Sequence, residues 1–112
     1  MEKLTQKQFI EILKENTTSM VLCINRDLSE QLQSIISKLT WKNAEIEFGL
    51  TLVPRTVLKV RSASLQFSND SWLYFDQRDV SKSYYKIGNV VLMQSSEKNG
   101  GKVVKILGYL IK

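Results

Sequence analysis

The chain contains no histidine. That removes the usual general base near neutral pH, the commonest metal ligand, and every Ser/His or Cys/His nucleophile pair. Cysteine occurs once, as Cys23, so neither an intrachain disulfide nor a zinc site of paired cysteines can form. Its place in Val21-Leu22-Cys23-Ile24 is that of a buried, inert thiol. Proline occurs once, as Pro54, and there is no linker, low-complexity stretch or internal repeat. Long apolar runs are missing as well. The longest, such as Met20 to Ile24, are about five residues, against roughly 20 needed to span a bilayer. Met1-Glu2-Lys3-Leu4 is charged with no apolar region behind it, unlike a signal peptide. A reduced, cytoplasmic setting away from membranes is the expectation.

What is present is a globular balance: 112 residues, 43% hydrophobic and 24% charged, enough for one domain. The net charge of +5 is unevenly spread. Residues 1–56 hold seven basic and seven acidic side chains; residues 57–112 hold nine basic and four acidic ones. Seven of the ten aromatic residues also fall in the second half. A basic, aromatic-rich half beside a neutral one is the composition of a nucleic-acid footprint, although +5 is also ordinary solubilising charge.

Hydrophobic spacing divides the chain into elements. Thr5 and Gln8 stand at capping-box spacing, and Phe9, Ile10 and Leu13 follow at helical spacing, which predicts a helix ending near Asn16-Thr17-Thr18. Ser19 to Ile24 reads as a buried strand. Asp27 and Glu30 open a second predicted helix, Leu28 to Leu39, with Leu32, Ile35 and Ile36 on one face. From Ala44 the period becomes two, through Ile46, Phe48 and Leu50, until Pro54 stops the ladder. Thr56 to Arg61 alternates again, and a phase slip at Ser62-Ala63-Ser64 predicts a bulge or bend. Ser68-Asn69-Asp70-Ser71 is turn chemistry, and Trp72 to Phe75 is the return strand. Asp76 to Ser83 is polar, a loop or one helical turn. Gly88-Asn89 joins Tyr84–Ile87 to Val90–Gln94 as a two-residue hairpin, and Asn99-Gly100-Gly101 precedes a last strand, Val103 to Ile111. That strand is apolar on both faces, as in a central position or under a homodimer contact. The resulting fold is α+β: two N-terminal helices packed on one face of a mainly antiparallel, meander-like sheet of about five or six strands.

Few constellations could carry chemistry. Asn99-Gly100-Gly101-Lys102 lacks the other elements of a phosphate loop. Asp76, Asp79 and Lys82 lie three apart, a spacing that can hold a divalent metal with help from Glu45 or Glu47, but a solvated loop shows it equally. Glu45 and Glu47 can instead pair with Lys59 and Arg61 across neighbouring strands. Trp72 and Tyr74 share one strand face, Leu73 and Phe75 the other. If Leu73 and Phe75 face the core, Trp72 and Tyr74 become an open platform for stacked bases or for a protein partner.

These features favour a non-enzymatic protein with neither cofactor nor metal, acting stoichiometrically on a nucleic acid or nucleoprotein. Lys59, Arg61, Trp72, Tyr74, Lys82 and Lys86 are its expected binding residues. A pure protein–protein module, such as an inhibitor or adaptor of a host enzyme, is the alternative, and a metal-dependent nuclease the third reading. The short, lysine-rich chain without catalytic residues is similar in style to accessory proteins of phages and other mobile elements.

Overall fold

The structure, a computed structural model, describes residues 2–24 and 55–111. In chain order the elements are β1 (Glu2–Leu4), α1 (Gln6–Glu15), β2 (Thr18–Ile24), β3 (Val57–Val60), β4 (Ser64–Phe67), β5 (Trp72–Tyr74), β6 (Val80–Ile87), β7 (Val90–Glu97) and β8 (Val103–Ile111). They form a five-stranded sheet in the order β1-β6-β7-β8-β2 and a three-stranded sheet in the order β3-β4-β5, with every pairing antiparallel.

The helix starts where its cap dictates. Thr5 Oγ1 accepts from the Gln8 amide at 3.1 Å, and Gln8 Oε1 accepts from the Thr5 amide at 2.8 Å. This satisfies donors that a helix start leaves unpaired. At the other end Asn16 turns extended, and its side-chain amide donates back to the Ile12 carbonyl at 2.7 Å. Phe9 and Leu13 are buried, while Lys7, Glu11 and Lys14 are exposed.

The β6–β7–β8 meander depends on glycine at its reversals. Gly88 takes φ 55°, and Gly100 and Gly101 take φ 91° and 69°, a region that side chains with Cβ disfavour. Tyr84, Val91, Met93, Leu107 and Tyr109 line one face of the large sheet. Against them pack Phe9 and Leu13 from α1, and Leu65, Phe67, Leu73 and Phe75 from the small sheet. Aromatic rings tie the layers together. Phe9 meets Tyr84 at 4.9 Å and Phe75 edge-on at 6.4 Å, and Phe67 meets Tyr109 at 5.5 Å. On the opposite face Val90, Leu92 and Ile106 are buried too, so β7 is covered on both sides.

This arrangement corrects the fold expected from the sequence. The molecule is mostly β, and two sheets with one ten-residue helix among the described residues replace two helices on a single sheet. The segment expected to be the second helix, Leu28 to Leu39, lies outside the described residues, as does the strand expected from Ala44 to Val53. The second sheet has a local cause. The phase slip at Ser62-Ala63-Ser64 is a chain reversal, in which the Arg61 amide donates to the Ser64 carbonyl at 2.7 Å. β3 therefore folds back on β4 instead of continuing as one bent strand. The polar stretch Asp76–Ser83 is a turn only as far as Asp79, at φ 61°. From Val80 it is strand, paired with β7 out to Glu97. β1, three residues long, was not expected at all.

One polar contact links the small-sheet segment to the edge of the large sheet. Arg55 and Thr18 exchange backbone hydrogen bonds of 2.8 and 2.7 Å. The Arg55 side chain is 8% exposed and lies 5.5 Å over the Phe67 ring. Its Nε, Thr18 Oγ1 and Ser19 Oγ have no hydrogen-bond partner among the described residues.

Candidate binding face

The small sheet positions most of the expected binding residues. Its register is held by the turn Ser68–Ser71. Asn69 Oδ1 accepts from the Ser71 amide and hydroxyl at 3.3 and 2.6 Å, and the Phe67 amide donates to the Ser71 carbonyl at 2.9 Å. Thr56 and Ser68 are bonded in both directions, through Thr56 N to Ser68 Oγ at 3.0 Å and Ser68 N to Thr56 O at 2.8 Å. With β3, β4 and β5 so aligned, Leu65 pairs with Leu73 and both point inward. Strand alternation then places Gln66, Trp72 and Tyr74 on the outer face.

Lys59 stands opposite Gln66, and Gln66 opposite Trp72, giving a row across three strands. From the β3–β4 turn Arg61 lays its guanidinium over the Trp72 ring, 5.0 Å from its centre. This stack presents a flat cation and leaves Trp72 partly covered. Tyr74 is 52% exposed. A register shift between Val57 and Lys59 inserts an extra residue, and Leu58 projects into solvent at 64% exposure. Val60 is also exposed, at 41%. From Leu58 to Arg61, apolar and cationic side chains thus alternate.

β5 is the edge of this sheet, and there the site changes character. Trp72, Tyr74 and Gln77 meet Lys82 of β6 and Lys105 of β8 around a cavity of about 50 Å³, floored by core side chains that include Leu73 and Met93. The Lys82 ammonium donates to Gln77 Oε1 and to Ser95 Oγ, the latter at 2.7 Å. Partial burial and the neighbouring Lys105 charge hold the Lys82 pKa below the ordinary lysine range.

Lys86 is not part of this surface. It pairs with Glu2 in the β1–β6 register and lines a separate open groove of about 340 Å³ with Leu4, Lys7, Glu11 and Ile12. The other five expected residues form a continuous series, from Lys59 and Arg61 through Trp72 and Tyr74 to Lys82. Sequence reading missed Gln66, Gln77 and Lys105. Lys105 was detectable as the one charge in the apolar stripe of Val103, Leu107 and Tyr109.

The acidic candidates lie elsewhere. Glu45 and Glu47, which could pair with Lys59 and Arg61 by sequence, are outside the described residues. Among the described residues Lys59, Arg61, Lys82 and Lys105 form no ion pair; the pairs present are Lys14 with Glu11 at 3.9 Å and Arg78 with Asp79 at 3.8 Å. Both are exposed and contribute little to stability. Asp76 and Asp79 are also exposed, and no group of three or more potential metal ligands occurs among the described residues. The Cys23 side chain is outside the described part. No helix among the described residues is long and apolar enough to cross a membrane. Comparison with family models, curated proteins and solved structures finds no match to the chain.

Proposed function

We propose that this chain is a non-enzymatic binding protein of the cytoplasm that takes a nucleic-acid strand, free or within a nucleoprotein, on the outer face of its small sheet. One observation carries the reading: the Arg61–Trp72 stack beside exposed Tyr74, on a surface whose lysines have no acidic partners among the described residues. Bases stack on aromatic and guanidinium planes irrespective of sequence, while lysines neutralise the phosphates between them. A surface with one stacked platform and scattered cations suits an extended single strand better than a duplex, whose bases are already stacked. Binding would act by occlusion, with one protein covering one stretch of strand. Such a mode matches the inhibitory role of small accessory proteins from mobile elements.

A protein partner is the second reading, favoured by a specific feature. Leu58, Val60 and Tyr74 expose apolar surface on the small sheet, and aromatic, aliphatic and arginine side chains together make interface anchors. An acidic partner surface would then meet Lys59 and Arg61. The test is purification from cells with and without nuclease, followed by a shift assay with labelled oligonucleotides. Nucleic acid that co-purifies and rebinds supports the first reading; one defined protein retained after nuclease, with no shift, supports the second.

A further inference from the structure

Three strands of the large sheet place Lys82, Ser95 and Lys105 directly opposite one another in a single row. The row lies on the core-facing side, which carries Tyr84, Met93 and Leu107 one pair further along. Two partly buried lysines on such a surface are unusual, because burying an ammonium without a counter-charge is costly. Neither has an ion-pair partner among the described residues. Alternate strands lie roughly 10 Å apart, yet both side chains line the same small cavity.

The donors are partly arranged for an anion. Gln77 Oε1 and the buried Ser95 hydroxyl fix Lys82 from two sides, so one of its three N–H donors remains for a ligand. The Lys105 ammonium makes no hydrogen bond among the described residues. Gln77 keeps its amide N–H groups free, since its oxygen is the atom engaged. Trp72 and Tyr74 also line the cavity and offer aromatic surface to a ring or sugar attached to the anion.

We propose that the cavity between Lys82 and Lys105 is a phosphoryl-binding site, taking a phosphate dianion or phosphate ester bridged by the two ammonium groups and the Gln77 amide. Two cations with no acidic partner among the described residues call for a ligand charge near −2, which a carboxylate does not supply. The depressed Lys82 pKa fits: burial and Lys105 both disfavour its charge, and a bound anion would offset both. The site does not depend on strand binding by the outer face. Free phosphate esters and strand phosphates are two sources of the same group.

The experiment is an amide NMR titration of the full chain with inorganic phosphate, against sodium chloride at matched ionic strength. Saturable shifts at Gln77, Lys82, Ser95 and Lys105 are expected with phosphate alone. Lys105→Gln and Lys82→Gln should each weaken them at least tenfold, and Lys86→Gln, in the other groove, should leave them unchanged. Shifts that chloride reproduces, or that survive both substitutions, overturn the site. Competition with a hydroxyl-ended oligonucleotide then separates the sources. Displacement of phosphate makes the strand the source, binding without displacement makes it a free phosphate ester, and both outcomes support the site. Strand binding with no phosphate response overturns this site and leaves the outer-face reading standing; a phosphate response with no strand binding does the reverse.

Discussion

The guanidinium of Arg61 lies 5.0 Å from the centre of the Trp72 ring, on the outer face of a three-stranded sheet. Arg61 comes from the turn after β3 and Trp72 from β5, so the stack exists only because β4 holds the two strands in register. It gives the outer face one planar cationic surface and one ring for a base to share. Trp72→Ala is therefore expected to weaken single-strand binding by about 1–3 kcal/mol, the usual contribution of one stacked base. The melting temperature should change little, because Trp72 is only half-buried. A fluorescence titration of the variant against the parent, with melting curves for both, checks this.

Phe9 joins three layers, touching Tyr84 of the large sheet and Phe75 beside the small one from its place on the helix. It is wholly buried. Phe9→Ala should cost about 3–5 kcal/mol of stability, the range for a large aromatic removed from a core. Urea unfolding followed by tryptophan fluorescence would measure the loss.

Arg55 presents the opposite case. Its guanidinium is buried over Phe67 with no acidic partner among the described residues, while the strand contact it makes with Thr18 is through backbone atoms alone. An apolar side chain of similar length keeps that backbone contact and removes the buried charge. Arg55→Met is expected to unfold at the same urea concentration as the parent or a higher one, whereas Arg55→Glu should unfold earlier.

Tyr84 makes stability fall in alkali. Burial pushes its hydroxyl from 10.0 up to about 12. The folded state therefore holds this proton after the unfolded state has lost it, and the stabilisation, complete below pH 10, disappears as pH rises towards 12. The slope contributed by one such group is at most about 1.4 kcal/mol per pH unit. Tyr84→Phe removes the group, so the parent should lose stability relative to the variant across this window. A difference that stays constant with pH would contradict the assignment.

The parts of the fold that were legible in the sequence are those fixed locally. The Thr5–Gln8 box set the start of α1, Gly88-Asn89 and Asn99–Gly101 set the meander, and the alternation of Trp72 to Phe75 put Leu73 and Phe75 on one face, which the fold turns inward. What escaped depended on contacts between distant segments. Ser62-Ala63-Ser64 carries no glycine or proline, so its reversal showed only as a change of phase, which a bulge produces as well. Lys82 lay in a stretch polar enough to pass for a loop, because the core-facing row of β6 spends one of its positions on a lysine. For the same reason Lys105 was passed over inside an apolar strand. Their meeting across Ser95 is a product of strand register, which residue spacing along the chain does not encode.

The most direct test of the account is the salt dependence of single-strand binding. If Lys59 and Arg61 on the outer face each neutralise one phosphate, the logarithmic slope should be about −1.4, and affinity should fall about 7-fold between about 50 mM and 200 mM salt. The double variant Lys59→Glu with Arg61→Glu should abolish the shift at both concentrations while melting like the parent. Absence of binding at the lower salt, or binding that neither salt nor the double substitution weakens, would contradict the claim that this face receives a nucleic-acid strand.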